Sequence, residues 1–344
     1  MPSSAPLLTV ALPTCNGSVH LAETIHSILH QDCGPFDLLV CDDRSDDETV
    51  PLVRALTGER ARLVVNEHRL GLAGNWNQCM ALSRTPWVSI FHQDDVMLPG
   101  HLASVIKGLE LAEHAATQIG LLAGPVRVID EHSSPVPDSV VDPGGKVVSG
   151  VMPRVLEFLG FPPGDFAELL RQENPLRCSA VVTNRAAHAD VGGFDLSYRY
   201  VVDWEFWYRL SRKYAVSWKL HEATVLVRWH AASETHRFKT GTDDLEEAAR
   251  LLDSIFQQED HGKPASARRR RPANRRLCRA FLNRSHEALR NGRADLARTC
   301  LARAWTLSSA GVIRTLATDP RLCAQMTTLA MRPSLARRWF ARNR

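Results

Sequence analysis

Short apolar runs alternate with helical patterns along the first 100 residues. Residues 7–12, 38–41, 61–65 and 87–91 form apolar segments of strand length. Residues 19–29, 49–56 and 71–82 between them show the spacing of amphipathic helices. This order predicts an α/β fold with a mostly parallel, Rossmann-like central sheet, right-handed crossovers and flanking helices.

The pattern changes twice after residue 100. Further elements are predicted at 102–115 (helix), 119–123 (strand), 179–183 (strand) and 204–214 (helix). The stretch 130–175 is rich in Pro, Gly and Asp, which predicts a long surface excursion with one helix near 152–160. From about 240 a helix over 243–257, a basic linker over 263–276 and a helical pair over 275–291 and 294–307 are expected, the pair meeting at Gly292. We therefore expect an α/β domain over 1–240 and a basic α-helical region over 241–344.

Composition is that of a soluble globular protein, with 44% hydrophobic and 23% charged residues among 344. No apolar run reaches the roughly 18–20 residues that cross a bilayer, and the N-terminus lacks the pattern of a signal peptide. The eight cysteines are scattered without a Cys-x-x-Cys pair, which indicates neither zinc nor a disulfide framework. These features together predict a cytoplasmic protein.

Charge is unevenly distributed. Residues 261–344 contain 20 Lys and Arg against three Asp and Glu, so the remaining chain is net acidic. The basic segment 263–344 suits an anionic membrane surface, and its alternative interpretation is a solvated helical face. Nucleic acid is not the expected partner.

Polar clusters follow the predicted strands. Pro13, Thr14 and Asn16 come after the first strand, and Asp42 and Asp43 after the second. Ligands of open α/β sheets bind at the carboxyl ends of strands, where hydroxyls, amides and carboxylates can contact a nucleoside. Turn formation and helix capping explain the same residue types.

Two adjacent acids, Asp94 and Asp95, follow the fourth strand. Neighbouring carboxylates repel unless a cation or hydrogen-bond donors compensate them, and oxygen ligands suit Mg²⁺ or Mn²⁺. The pair predicts a site for a divalent metal and a bound phosphate.

Four segments in this order and spacing resemble family 2 glycosyltransferases, which are inverting enzymes of the GT-A fold that use nucleotide-sugar donors. The segments are Leu12 to Asn16, Val40 to Asp47, Gly71 to Asn75 and Phe91 to Asp95. The resemblance covers about residues 6–235. It implies a nucleotide-binding half over 1–100 and an acceptor and catalytic half over 101–240.

The resemblance also implies individual roles. The implied nucleotide-binding residues are Pro13, Thr14, Asn16, Asp42, Asp43, Asn75, His92 and Gln93, and the implied metal ligands are Asp94, Asp95 and His230. His92 occupies the first position of the family's Asp-x-Asp motif. It is either a metal or phosphate contact or a hydrogen-bonded residue at a strand end. His230 is equally consistent with a structural role.

The catalytic base implied by the family falls on Asp203, because Val202 replaces the glutamate that usually precedes it. A base is needed to take the proton of the acceptor hydroxyl. Glu205 is the alternative base and, with Trp204 and Trp207, a candidate acceptor or sugar contact. Aromatic residues at this spacing are more often core residues.

The resulting hypothesis is a metal-dependent inverting glycosyltransferase that moves a sugar, with UDP-sugar favoured as donor, to a hydroxyl of a glycan or lipid-linked precursor. The expected cofactor is Mn²⁺ or Mg²⁺, and the expected location is the cytoplasm or the inner face of the cell membrane. A non-catalytic nucleotide-sugar-binding or scaffold protein is the main alternative. A sugar nucleotidyltransferase is disfavoured, because the phosphate loop of that class would occupy residues 13–18.

Overall fold

A computed structural model describes residues 5–136, 158–219, 223–230, 240–259 and 267–318. The strands are β1 (Leu8–Thr14), β2 (Asp37–Asp42), β3 (Arg62–Val65), β4 (Trp87–Ile90), β5 (Val96–Met97), β6 (Ile119–Ala123), β7 (Val126–Ile129), β8 (Phe158–Phe161), β9 (Val181–Asn184), β10 (Ala215–Lys219) and β11 (Val225–Arg228). The α-helices are α1 (Ser18–Leu29), α2 (Thr49–Thr57), α3 (Gly71–Leu82), α4 (His101–Glu113), α5 (Asp165–Leu170), α6 (Arg185–Val191), α7 (Val202–Lys213), α8 (Asp243–Glu259), α9 (Ala267–Arg290) and α10 (Ala294–Thr318). Short 3-10 turns lie at Gly58–Arg60 and Cys178–Ala180.

The central sheet has eight strands in the order β3-β2-β1-β4-β9-β6-β10-β8. β3, β2, β1 and β4 are mutually parallel, whereas β9 is antiparallel to both β4 and β6. β10 is parallel to β6, and β8 is antiparallel to β10. The predicted mostly parallel α/β sheet with flanking helices is therefore confirmed. A second sheet of three strands, β5-β11-β7, adjoins the segment after β4.

Helices pack on this sheet through the apolar faces predicted by their spacing. In α1, Leu21, Ile25 and Ile28 are fully buried and join one core cluster with strand residues such as Val10 and Leu12. Each such side chain contributes about 1.5–3 kcal/mol when it leaves water. The apolar strand residues are buried on both faces, which is why these runs are continuous rather than alternating.

The chain divides into two compact units. One comprises Met1–Leu170 and Asn174–Ser233, and the other Arg171–Glu173 and Glu234–Arg344. In the second unit α9 ends at Arg290, and the positive φ of 71° at Gly292 allows the tight connection to α10. Its interior contains an ion pair in which Arg284 donates two hydrogen bonds to Asp244, at 3.1 and 2.7 Å.

Two predictions about local structure are wrong. The segment Phe158–Phe161 is a strand rather than part of a helix near 152–160, because it pairs antiparallel with β10; residues 152–157 lie outside the described residues. The basic linker expected over 263–276 is instead helical from Ala267 onward, with Pro272 inside the helix. Pro272 is the sixth residue of this helix, so the helix lacks the hydrogen bond that an N–H at position 272 would donate to the carbonyl of residue 268. Among the described residues, no helix has the length and apolar character to cross a membrane.

Candidate active site

The predicted polar clusters meet at one edge of the sheet, because β1, β2 and β4 are parallel neighbours. Gln93 joins two of the loops at this edge. Its Oε1 accepts a hydrogen bond from Cys15 N at 2.9 Å, and its Nε2 donates to Cys15 O at 3.1 Å. A Cβ atom at Gly17 would lie 2.1 Å from Gln93 Oε1, so this clamp requires glycine at position 17. Pro13 lies half-buried in β1, opposite Cys41 of β2.

Asp42 is fully buried at the end of β2 and organises the first loop. Its carboxylate accepts hydrogen bonds from Thr14 Oγ1 at 2.7 Å, Ser45 N at 2.7 Å and Ser45 Oγ at 2.6 Å. Asn16 is exposed at a positive φ of 48°, donates from its N–H to Ser45 Oγ and accepts from Asp46 N. Thr14, Asn16 and Asp42 therefore belong to one hydrogen-bonded network, in which Asn16 is the solvent-facing member.

Asp43 and Asn75 have different surroundings from those predicted. Asp43 accepts hydrogen bonds from Leu70 N at 2.7 Å, Gly71 N at 2.9 Å and Asn66 Nδ2 at 3.0 Å, so it anchors the start of α3. Asn75 donates to Cys41 O and accepts from Asn66 Nδ2. Both side chains are buried. The structure corrects the prediction for Asn75, whose amide points into the protein, and gives Asp43 a folding role.

Asp94 is the accessible carboxylate of the second acid pair. Its Oδ2 lies 2.9 Å from His230 Nε2, and the ring of His20 lies 4.9 Å from that of His230. Burial alone would raise the pKa of the Asp94 carboxyl, but the hydrogen bond with His230 and the nearby His92 outweigh it and hold the pKa below its ordinary value. Asp94 is therefore ionised at neutral pH.

Asp95 lies in the interior, although it is adjacent to Asp94 in sequence. Its Oδ2 accepts a hydrogen bond from Ser179 Oγ at 2.5 Å, and its Oδ1 accepts one from Arg228 N at 2.9 Å. Burial and the neighbouring Asp94 charge raise the pKa of Asp95 to about 8. Both oxygens are engaged by the protein, so the structure gives Asp95 the role of fixing the loop rather than that of a freely available ligand.

His92 lies just after β4, close to Asp94 and Asp95. Its ring stacks on Trp76 at a centroid distance of 5.4 Å, and its backbone N–H donates to Ser179 Oγ at 3.1 Å. Burial lowers the pKa of His92, although Asp94 and Asp203 oppose the shift, so the imidazole is neutral and able to bind a cation. Its buried Nε2 has no hydrogen-bond partner among the described residues. His92, Asp94 and Asp95 offer ligand atoms within 4.8 Å of one another.

These donors fit a divalent cation. They combine an ionised carboxylate with imidazoles, a set that Mn²⁺ accepts. The orphaned ring nitrogen of His92 is the kind of buried polar atom that a ligand would satisfy.

Asp203 is the second residue of α7. It accepts hydrogen bonds from Trp204 N at 2.6 Å and from Asn174 Nδ2 at 3.2 Å. Burial raises the pKa of Asp203 above its usual range, against the opposing effects of Arg177 and His92. His92 and Asp203 are close enough that each influences the pKa of the other. A carboxylate with a raised pKa beside a cation site is suited to accept a proton.

Comparison with known proteins identifies the family. Residues 9–128 match the family model described as "Glycosyl transferase family 2". Residues 9–128 therefore form a family 2 glycosyltransferase domain. The matched segment contains every polar cluster from Thr14 to Asp95.

Two relatives and one solved structure are similar to this chain. "Uncharacterized protein MT1568" of Mycobacterium tuberculosis (strain CDC 1551 / Oshkosh) is 29% identical over 251 residues, or 72% of this chain and 75% of that protein. The "UDP-Glc:alpha-D-GlcNAc-diphosphoundecaprenol beta-1,3-glucosyltransferase WfgD" of Escherichia coli is 25% identical over 127 residues, or 37% of this chain and 48% of that protein. The mannosyltransferase PcManGT from Pyrobaculum calidifontis, solved with GDP-Man and Mn²⁺, has a TM-score of 0.53 and 18% identity, covering 99% of this chain and 84% of that one. This structural likeness confirms the GT-A fold.

Three predicted contacts of the glycosyltransferase are corrected by their surroundings. Trp207 is buried against Phe194 and Phe206, and Trp204 is buried with its Nε1 donating to Leu170 O at 2.7 Å. Neither ring can serve as a sugar platform. Glu205 accepts two hydrogen bonds from Arg209, whose guanidinium in turn holds carbonyl groups of residues 191–193. Glu205 therefore orients an arginine and is not placed as an acceptor contact or alternative base.

Several residues of the glycosyltransferase site were not predicted. They are His20, Glu23, Trp76, Asn174, Ser179 and Arg228. Ser179 contacts Asp95 across 84 residues of sequence, and Arg228 reaches Asp95 across 133. No short sequence pattern predicts pairs that are so far apart along the chain. The only indication in the sequence was that Arg228 lies two residues before His230, a candidate metal ligand.

Proposed function

We propose that this glycosyltransferase is a metal-dependent inverting enzyme that moves a sugar from a nucleotide-sugar donor to a hydroxyl of a glycan or lipid-linked precursor. The observation that carries the proposal is the grouping of Asp94, His92 and His230 with Asp203 at the carboxyl edge of the sheet. A ligand set that contains an ionised carboxylate and a second carboxylate of raised pKa are the two components that direct displacement at an anomeric carbon requires.

The cation would be held by Asp94, His230 and His92, with Asp95 fixing the loop that presents them. A divalent cation would supply positive charge to the departing diphosphate. Mn²⁺ is favoured over Mg²⁺, because imidazole ligands suit it better than the strictly oxygen-seeking Mg²⁺. The presence of Mn²⁺ in the PcManGT structure supports this choice.

The nucleoside would lie along residues 13–16, where Asn16 is exposed and the Thr14–Asp42 pair lies beneath it. Gln93 holds this loop against the metal loop. A UDP-sugar is the favoured donor, supported by the UDP-Glc named for WfgD, and the diphosphoundecaprenol acceptor named for the same protein supports a lipid-linked precursor.

Asp203 would take the proton of the acceptor hydroxyl. Its raised pKa increases its strength as a base, and the hydrogen bond from Asn174 orients one carboxylate oxygen. This role is tested with Asp203→Asn, and Asp32→Asn on the exposed surface serves as the matched control. The readouts are Mn²⁺-dependent UDP release, sugar transfer and UDP binding by calorimetry.

Asp203→Asn should lose transfer by about a thousandfold while it binds UDP and Mn²⁺ like the wild type. Normal transfer by this variant would reject Asp203 as the base. UDP-sugar binding by the wild type without hydrolysis or transfer would instead favour the non-catalytic alternative, which the replacements at His92 and Val202 keep open.

We extend the proposal to the place of action. Helix α9 exposes Arg271, Arg275 and Arg279, which are spaced four residues apart and therefore lie on one face. An arginine near an anionic bilayer gains about 1 kcal/mol, so this face would dock the enzyme on the inner surface of the cell membrane. In sedimentation with phosphatidylglycerol vesicles, the triple Gln variant should bind at least about tenfold more weakly, whereas Asp32→Asn should bind normally. Equal binding of both variants would reject the docking face.

A further inference from the structure

The Arg228 side chain makes four hydrogen bonds beside the candidate metal loop. Arg228 ends β11, and its side chain is fully buried. Its Nε donates to Asp94 O at 2.9 Å, and its backbone N–H donates to the Asp95 carboxylate at 2.9 Å. One residue thus fixes the main chain of the accessible acid and the side chain of the buried one.

The opposite side of the guanidinium is held by two other segments. Nη2 donates to Glu23 Oε2 of α1 at 2.7 Å, and Nη1 donates to Asp130 O and Ser133 Oγ at 3.1 and 2.9 Å. Ser133 Oγ lies 3.1 Å from both Glu23 oxygens, so Arg228, Glu23 and Ser133 contact one another. The Glu23 carboxylate is 45% exposed, and it supplies the negative charge that a buried arginine needs.

The turn that contains Ser133 is itself well fixed. Asp130 Oδ1 accepts from the N–H groups of His132 and Ser134, and Ser133 adopts a positive φ of 63°. Strand β11, helix α1 and this turn therefore meet at one guanidinium. Arginine suits the position because its planar fork reaches several acceptors at fixed angles, which a lysine ammonium cannot reproduce.

We propose that Arg228, oriented by Glu23, is a positioning residue that sets the Asp94–Asp95 loop for cation binding and ties this loop to the turn at 130–134. The inference rests on the proposed metal-dependent function. It assigns no contact with substrate to Arg228; the effect is transmitted through Asp94. Outer contacts of this kind typically change metal affinity by about 10–100-fold when they are removed.

The test uses Glu23→Gln, Arg228→Lys and the matched surface control Glu113→Gln, which changes an exposed glutamate of α4. Mn²⁺ affinity is measured on the full chain by calorimetry and by loss of the free Mn²⁺ resonance, and unfolding is followed in EDTA. Arg228→Lys should weaken Mn²⁺ binding about tenfold or more, and Glu23→Gln about threefold, with the control unchanged. For Glu23→Gln, saturating Mn²⁺ should restore kcat.

The outcomes separate the possible failures. If the wild type does not bind Mn²⁺, the proposed metal dependence fails and this inference fails with it. If the wild type binds Mn²⁺ and the folded variants bind equally well, positioning by Arg228 is rejected while the proposed function stands. Lower unfolding midpoints with unchanged Mn²⁺ affinity would show that Arg228 and Glu23 serve folding alone. Glu23→Gln keeps the test decisive if Arg228→Lys does not fold, because residue 23 is partly exposed.

Discussion

Two Asp-Asp pairs follow β2 and β4 of this glycosyltransferase, the parallel strands on either side of β1, and they have different surroundings. Both members of the pair after β2, Asp42 and Asp43, are buried and engaged by protein donors. In the pair after β4, Asp95 is buried in the same way, but Asp94 remains accessible beside His230. The same dipeptide at corresponding strand ends therefore has two kinds of surroundings, and under the proposed function only the second pair would serve ligand binding.

The difference arises from what faces each carboxylate. Asp43 meets the backbone N–H groups at the start of α3, where a carboxylate is stabilised by free donors and by the helix dipole. Asp94 meets imidazoles, which hold its charge without saturating its oxygens. Asp43, whose charge is met by backbone donors, contributes stability, and an acid left with available oxygens can contribute binding.

The largest expected effect comes from removing the accessible acid. Asp94→Asn should lower transfer by about a thousandfold, equivalent to about 4 kcal/mol, because the developing diphosphate charge loses its cation. The free energy of unfolding in EDTA should change by less than about 1 kcal/mol, because asparagine keeps an oxygen that can accept the hydrogen bond from His230 Nε2. UDP release and urea unfolding check both parts. Transfer within tenfold of the wild type would remove the distinction between the two pairs.

The second effect concerns the acid pair after β2, Asp42 and Asp43. Asp43→Ala should lower the free energy of unfolding by about 3 kcal/mol, because it strands the N–H groups of Leu70 and Gly71 and the amide of Asn66. Asp43→Asn keeps one acceptor oxygen and should lose less. Urea unfolding gives the values. A variant of normal stability that no longer binds UDP would make Asp43 a ligand after all.

A smaller effect is expected at the clamp between the two loops. Gly17→Ala would place Cβ against Gln93 Oε1, displace the side chain and break its hydrogen bonds with Cys15, at about 1–2 kcal/mol of stability. Adding Gln93→Ala removes the clash, so the double variant should be no less stable than Gln93→Ala alone. A double-mutant cycle measures this coupling, and additive losses would contradict the clamp.

The smallest effect at any single step of one pH unit is a dependence of stability on pH. The pKa of Asp95 is about 8 in the folded protein, above its unfolded value of 3.8, so the folded state binds the extra proton between these values. Stability should therefore fall as pH rises from about 4 to 8, by at most about 1.4 kcal/mol per pH unit. In EDTA, Asp95→Asn should remove the part of the pH dependence that this carboxyl causes. The stability of the variant relative to the wild type should therefore grow with pH. Parallel pH profiles for the two proteins would contradict the raised pKa.

Helical and strand periodicity was sufficient to predict the sheet, because continuous apolar runs can be buried only between layers. It failed at residues 158–161 and 267–276. The first segment becomes a strand only because β10 lies beside it, and the second was interpreted as a linker because Pro272 follows four arginines. In both segments the local sequence pattern did not determine the secondary structure; the surrounding structure did.

Among the candidate site residues, positions adjacent to strand ends could be predicted, but their orientation could not. Trp204, Trp207 and Asn75 have residue types suited to binding a ligand, yet their side chains pack into the interior. Their partners, such as Leu170 for Trp204, come from distant segments. From the local sequence alone, a polar or aromatic residue that becomes buried cannot be distinguished from one that stays exposed.

The sequence by itself determined the α/β class, the strand-end clusters and the family resemblance, because each depends on residues that are close along the chain. Only the tertiary structure decided which acids are saturated and which remain available for binding. That distinction depends on Ser179, Asn174 and Arg228, which approach Asp95 and Asp203 from distant strands and loops. A carboxylate's charge, orientation and pKa are set by the donors and the solvent around it, and folding alone brings those groups together.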